Sequence, residues 1–377
     1  MRLVNVGDIC CFEYGKSLSE RIRKPGDFVV FGSNGPVGNH SEGFTDGKTI
    51  IIGRKGSIGA IHVSPYSCWP IDTTYFIDNT CTDCDLEWLA FQLRHLRLEE
   101  LNKASGVPGL NREDAYKQSI WLPETKAKQR QISSFMKAQL EEVDTARQAA
   151  QTQVRDVVLL RSRLLQQTFA ALRDAPRKVL GEWARTTSGS TPPRGDKRYW
   201  SPAEIPWVKT GEVAFAPITQ TEEAISRQAL ADCSLTLLPP QTVLIAMYGQ
   251  GKTRGQSAML QIEATTNQAC FAILPNDTWD VDFLHHWLMA SYEDLRGLSD
   301  GRGGNQANLN GALLNALEIP APDIVGQRRT VAVLKTQLAE AAAIHQAATT
   351  QLAEIERLPQ RLLAQAFNPS TTQGDVT

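Results

Sequence analysis

The chain has no apolar run approaching the roughly 20 residues of a membrane span. Its opening residues, Met1-Arg2-Leu3-Val4-Asn5-Val6-Gly7-Asp8, carry no signal-peptide pattern. A cytoplasmic protein without membrane contact is expected. Excess charge of either sign is missing too, since 39 Lys and Arg face 41 Asp and Glu, a net charge of −2. That excludes a uniformly basic nucleic-acid binder but leaves room for local basic surface. The 7 cysteines are an odd count and fit free thiols in a reducing compartment. Cys81 and Cys84 have zinc-knuckle spacing, yet no second pair or nearby His completes four ligands. They read as two free thiols on a surface loop. His285, His286 and His345 lack partners at ligand spacing and read as ordinary helix residues. No metal site is expected on this chain.

Catalytic motifs are equally scarce. Methylation of an amino group calls for Asn/Asp-Pro-Pro-aromatic, whereas Thr191-Pro192-Pro193-Arg194 supplies neither acceptor nor stacking ring. Asp114 with Glu124-Thr125-Lys126 mimics the acids and lysine of a metal-dependent nuclease. However, Glu124 and Thr125 follow Pro123 at a helix start, where an acid and a cap belong anyway.

What is present is a duplication. Gln129 to Phe169 aligns without a gap with Gln327 to Phe367, and 17 of the 41 positions are identical. Gln129-Arg130 meets Gln327-Arg328, and Arg163-Leu164-Leu165 meets Arg361-Leu362-Leu363. The segments before each copy are related far more loosely. Such a repeat implies two similar modules in which a common helix carries two different domains.

Four segments and a tail follow. Residues 1–125 read as mixed α and β, with strands at Thr49–Ile52, Ile58–Val63 and Thr73–Ile77. Gly32-Ser33-Asn34-Gly35-Pro36 and Gly38-Asn39 read as loops, and Leu86–Leu101 has helical periodicity. Residues 126–173 read as one helix, since no Gly or Pro falls between Lys126 and Arg173. At 1.5 Å per residue it would be roughly 65 Å long, which suits a coiled-coil arm. Residues 174–322 repeat the α/β pattern, with strands at Thr242–Ala246 and Cys270–Leu274 and a helix over Val281–Leu295. Residues 323–369 hold the second long helix, where Pro359 stands in place of Arg161 and predicts a kink or break. Residues 370–377 read as a disordered tail. Leu140, Val143, Val154, Val157, Leu164, Leu338, Leu352, Ile355 and Leu362 form the apolar stripes of the helices. Two such stripes can bury each other as an antiparallel pair, which predicts an α+β chain with pseudo-twofold symmetry.

Candidate nucleic-acid contacts gather in Gly-rich loops beside strands. Base and phosphate readout needs forked donors such as Arg, Asn and Gln. The first domain offers Ser33, Asn34, Arg54, Lys55, Ser57 and Lys103; the second offers Arg194, Lys209, Thr210, Gln250, Lys252, Arg254, Arg302, Asn305 and Gln306. Each could instead cap a turn or lie solvated. From Thr145 to Trp200 there are 11 Lys/Arg against 4 Asp/Glu, either a phosphate-facing surface or a solvated helix face. Ala246-Met247-Tyr248-Gly249-Gln250-Gly251-Lys252-Thr253 fits a relaxed nucleotide-phosphate loop, but Arg254-Gly255-Gln256-Ser257 is a poor helix start. A DNA-contacting loop and a ligand-free structural turn are the other readings.

The order of domains and repeats resembles the specificity subunit of type I restriction–modification systems, over essentially the whole chain. Local sequences carry the likeness: Gly189-Ser190-Thr191-Pro192-Pro193, Tyr199-Trp200, Ile205-Pro206-Trp207, Gly249-Gln250-Gly251-Lys252-Thr253-Arg254-Gly255, Asn267-Gln268-Ala269-Cys270, Asn308-Leu309-Asn310 and Ile319-Pro320. The first domain adds Gly56-Ser57-Ile58-Gly59 and Leu110-Asn111. The resemblance implies a non-catalytic subunit of two target-recognition domains, each reading half of an asymmetric bipartite site in double-stranded DNA. The helices would set the unread spacer and dock two methyltransferase subunits. S-adenosylmethionine would belong to those partners, and ATP and Mg to a restriction subunit, with no cofactor on this chain. The readings outside this family are an ATP-using or nuclease enzyme built on the Gly-Lys-Thr loop, and an assembly scaffold that reads no bases.

Overall fold

The computed structural model describes residues 1–101, 109–249, 251–298 and 308–367. The chain forms two compact units, Met1–Gln151 with Thr349–Thr377, and Thr152–Ala348.

Unit 1 holds β1 (Arg2–Asn5), β2 (Glu13–Tyr14), β3 (Phe28–Gly32), β4 (Gly35–His40), β5 (Thr49–Gly53), β6 (Ile61–Ser64), β7 (Trp69–Pro70), β8 (Thr74–Ile77) and β9 (Ser119–Leu122). They pair as β2-β8-β5-β6, β4-β3-β7 and β1-β9. β5 is the apolar centre, with Ile50, Ile51 and Ile52 fully buried, as the β-branched run demands. Gly53 ends it because a Cβ there would lie 1.9 Å from the Ser57 carbonyl oxygen. The helices are α1 (Leu86–His95) and α2 (Arg112–Tyr116), followed by the long α3 (Lys126–Ala170).

Unit 2 repeats this plan with unlike side chains. Its strands are β10 (Arg177–Val179), β11 (Thr186–Ser188), β12 (Ile205–Val208), β13 (Glu223–Ile225), β14 (Val243–Ala246), β15 (Ser257–Met259), β16 (Thr265–Thr266), β17 (Cys270–Ile273) and β18 (Glu318–Pro320). The orders β11-β17-β14-β15, β13-β12-β16 and β10-β18 match those of unit 1 strand for strand. The helices are α4 (Leu180–Trp183), α5 (Arg227–Asp232), α6 (Val281–Ala290), α7 (Tyr292–Gly297), α8 (Gly311–Asn315) and the long α9 (Ile324–Phe367).

Each unit takes the first half of one long helix and the last half of the other. In unit 1, Met136 of α3 shares a core with Leu363 and Phe367 of α9. In unit 2, Leu165 and Phe169 of α3 share a core with Val331 and Leu334 of α9. This exchange of halves is what antiparallel pairing demands. The repeated Gln-Arg dipeptide explains how each helix is held. Gln129 accepts from the backbone N–H of Asp85 at 2.7 Å, and Arg130 faces the Asp85 carboxylate at 3.6 Å. Gln327 accepts from Asp280 N–H at 2.9 Å, and Arg328 faces that carboxylate at 3.1 Å. Asp85 and Asp280 are the N-caps of α1 and α6, so the same two residues fasten each long helix to its own unit.

Several expectations need correction. The helix does not break at Pro359; α9 runs through it to Phe367. The lost N–H is tolerated because Leu363 and Phe367, beyond the proline, are anchored in the core of unit 1. Gly35 to His40 is strand, not loop, since Ser33-Asn34 alone make the turn of a tight hairpin with Gly32 opposite Gly35. The segment after Leu86 is helical only to His95, and Arg97 takes a positive φ of 49° before a 3-10 turn. The second domain's Val281–Leu295 splits into α6 and α7. Cys81 and Cys84 are core thiols, 6% and 8% exposed, rather than surface ones. Burial pushes the Cys81 thiol up to about 12 and raises that of Cys84. The expected tail lies outside the described residues.

Candidate nucleic-acid interface

The first-domain candidates come together. Ser33 donates to the carbonyls of Lys55 and of Thr73, the latter at 3.1 Å, and Ser57 donates to Asn34 Oδ1 at 3.3 Å. The β3–β4 turn is thereby tied to the loop after β5. Ser33 is buried and its hydroxyl is spent on this tie, while Asn34 and Lys55 are exposed. Lys103 lies outside the described residues.

Beside this tie is a cleft lined by Tyr14, Arg54, Lys55, Tyr75 and Gly109 to Glu113. The guanidinium groups of Arg54 and Arg112 lie 5.3 and 5.4 Å from the Tyr14 ring centre. Tyr14 stacks edge-on against Tyr75 at 5.0 Å, and Tyr75 donates to the Leu110 carbonyl at 3.2 Å. Arg54 donates to the Asp72 carbonyl, and its Nε is buried without a hydrogen-bond partner. Tyr14 and Arg112 escaped the sequence reading. Tyr14 sits on a strand of two residues with no local signature, whereas Arg112 directly follows Leu110-Asn111 and could have been found there.

In unit 2 the candidates form two patches. Arg194 lies over Trp200 and Trp207, at 4.1 and 4.9 Å from the ring centres, and pairs with Glu223. Lys209 reaches Glu222 at 2.5 Å and Glu223 at 3.2 Å. Hydrogen bonds from Arg194 and then Lys209 hold the Glu223 carboxyl below its ordinary range. Thr210 donates to Asn267 Oδ1 at 2.9 Å. These three side chains already have partners. The other patch is the β14–β15 connection. Tyr292 donates to the Lys252 carbonyl at 2.6 Å, and Arg296 to the Arg254 carbonyl at 3.1 Å. Lys252 is exposed and borders a cleft with Arg161, Phe215, Tyr292 and Arg296. Gln250, Arg302, Asn305 and Gln306 lie outside the described residues.

This connection also decides the nucleotide-loop reading. The Gly-Lys-Thr segment leads into strand β15, so no helix N-terminus stands where a triphosphate would need one. Thr125 accepts from Lys128 N–H at 3.2 Å, the capping role its position called for, and Glu124 faces the Met1 ammonium at 3.3 Å. Among the described residues no three or more His, Cys, Asp or Glu are grouped to hold a metal ion. No helix among them is long and apolar enough to cross a membrane.

Of the stripe residues, Leu140 and Leu362 pack on the core of unit 1, and Leu164 and Leu338 on that of unit 2. Val157 and Ile355 are buried, and Val143, Val154 and Leu352 are half-buried. The outward apolar side chains are others. Phe135 and Val333 occupy the same position of the two repeats and are 62% and 57% exposed.

The family described as the type I restriction modification DNA specificity domain matches residues 1–152 and 178–357. The chain belongs to that family. Two curated relatives are specificity subunits of the same kind. The EcoR124I/EcoR124II specificity subunit of Escherichia coli is 26% identical over 158 residues, which is 42% of this chain and 39% of the relative. The MjaIX specificity subunit of Methanocaldococcus jannaschii is 29% identical over 166 residues, 43% of this chain and 37% of the relative. The chain thus spans about two fifths of the length of the curated relatives it matches. Among solved structures, a chain from work on complex assembly and conformational transition of the type I R-M system has a TM-score of 0.73 at 19% identity. It covers 97% of both chains. The HsdS subunit from Thermoanaerobacter tengcongensis has a TM-score of 0.62 at 18% identity, over 98% of this chain and 96% of that one. At such identities the likeness carries the fold alone.

Proposed function

We propose that this chain is the DNA sequence-specificity subunit of a type I restriction–modification complex and performs no catalysis itself. Each unit reads one half of a bipartite duplex target, and the long helices set the unread gap. The observation that carries this reading is a duplicated fold whose fastening is conserved while its loop chemistry diverges. A protein that must hold two readers in the same way, yet read different bases, needs that division. The exposed Phe135 and Val333, at one repeat position, support docking of two copies of the same methyltransferase subunit. Those partners would bring S-adenosylmethionine, and a restriction subunit would bring ATP and Mg. A free chain in the cytoplasm suits such a complex.

The test is selection of duplexes from a random library by the full chain co-purified with its methyltransferase subunit. A two-part motif with a fixed gap is expected, preferred over random duplex by roughly 10³-fold or more. Equal retention of all duplexes would instead make the chain a scaffold.

A further inference from the structure

The two units place opposite chemistry at one position of their common fold. Strand register aligns Ile52 and Gly53 of β5 with Ile245 and Ala246 of β14. The next residues are Arg54 and Met247, and the backbone confirms their equivalence. Leu110 N–H donates to the Arg54 carbonyl at 2.9 Å, and Leu309 N–H to the Met247 carbonyl at 3.1 Å. By the same registers Tyr14 corresponds to Ser188, and Tyr75 to Phe271. Arg112 and Gly311 each stand two residues beyond that bonded leucine. The quartet Tyr14, Arg54, Tyr75 and Arg112 is therefore replaced in unit 2 by Ser188, Met247, Phe271 and Gly311.

The unit 1 quartet is built like an anion seat. Two guanidinium groups lie 5.3 and 5.4 Å from the centre of one tyrosine ring, and that tyrosine is half exposed. The carboxylate closest to them is that of Glu113, 3.9 Å from Arg112 Nε. Two cations lining one cleft, with a single ion pair within 4 Å among the described residues, favour an incoming negative group.

We infer that this cleft seats one backbone phosphate of the bound duplex, with Arg54 and Arg112 as donors beside Tyr14, and that the described residues of unit 2 form no equivalent seat. This rests on the DNA-reading function proposed above and adds one salt-dependent backbone contact made by unit 1. A backbone contact positions without specifying, so sequence preference should not depend on it.

The experiment measures duplex affinity against salt for the full chain with its methyltransferase subunit, using the selected duplex and a random one of equal length. The variants are Arg54→Met with Arg112→Gly, which install the unit 2 residues, and Arg112→Gln alone as a milder change. Expected for the double variant is a loss of about tenfold or more at moderate salt on both duplexes. The slope of log affinity against log salt should flatten by about 1. Arg112→Gln should give a smaller loss in the same direction, and Arg112→Lys should restore most of it. A variant complex that melts like the wild type yet keeps its affinity and slope would overturn the phosphate seat while leaving DNA reading intact. Loss confined to the selected duplex would overturn it too, by assigning the arginines to base readout. A wild-type complex that fails to prefer the selected duplex would defeat the DNA reading itself.

Discussion

Units 1 and 2 share a strand order and differ at four cleft positions, Tyr14 against Ser188, Arg54 against Met247, Tyr75 against Phe271 and Arg112 against Gly311. What they keep in common is mechanical. Gln129 and Gln327 hold the same N-cap amide, and Arg130 and Arg328 face the same carboxylate. Met136 and Leu334, then Leu165 and Leu363, then Phe169 and Phe367, are buried at matching repeat positions. What diverges is electrostatic. Unit 1 holds Arg54 and Arg112 beside Tyr14 with only the 3.9 Å Arg112–Glu113 pair against them among the described residues, whereas unit 2 folds Arg194 and Lys209 onto Glu223. Helix attachment and cleft chemistry are thus separable properties of one fold, carried by different residues.

The repeat phenylalanines offer the strongest way to break the mechanical half of this comparison. Phe169 packs edge-on against Phe283 at 5.4 Å, and Phe367 lies tilted against His95 at 5.8 Å. Replacing either with Ala should destabilise its unit by about 3–5 kcal/mol, read by denaturant unfolding. A loss at one position only would show that the repeat is not mechanically equivalent.

Acid should separate the units. His285 on α6 is buried, with Ser257 Oγ 3.2 Å from its Nδ1 and His286 and Asp282 as charged or titratable neighbours. Burial, then His286, pushes its pKa down to about 4 from an ordinary 6.5. A depressed histidine contributes stability that is complete above pH 6.5 and lost as pH falls toward 4, because the unfolded chain takes up the proton first. The loss should reach about 3 kcal/mol. Counted from the N-cap aspartates, unit 1 has Ala90 at this position, so His285→Ala should flatten the decline of melting temperature over that pH range. An unchanged decline would place the acid sensitivity elsewhere.

A smaller contrast lies within the shared lock. Gln327 also donates to the carbonyls of Thr278 and Pro322, both at 2.8 Å. Gln327→Ala should cost about 2–3 kcal/mol and Gln129→Ala about 1–2, since buried backbone groups are left unpaired. Equal costs would mean that the extra carbonyl bonds contribute nothing. The smallest effect expected on stability is at the exposed pair. Phe135→Ser and Val333→Ser should each change it by no more than about 0.5 kcal/mol. Each should nevertheless weaken co-purification of the methyltransferase subunit, and the double change should abolish it.

The mechanical half was legible in the sequence because it is periodic and repeated. The Ile50–Ile52 run, the long helices and the Gln-Arg dipeptides mark themselves by composition and by recurrence. Pro359 does not break α9, because a single residue's propensity is set against the burial of Leu363 and Phe367. The cleft was only half legible. Arg54 and Lys55 follow a strong strand, but Tyr14 and Arg112 join them through strand pairing and a long-range backbone bond from Leu110. Arg194 and Lys209 were visible as cations, while Glu222 and Glu223, which pair with them, are distant along the chain.

The most direct measurement is a map of N6-methyladenine in cells expressing this chain with its methyltransferase subunit, against cells with the methyltransferase alone. The account predicts a new motif of two unlike halves across a fixed gap, present only with this chain. A motif of two identical halves, or no new motif from an intact complex, would contradict it.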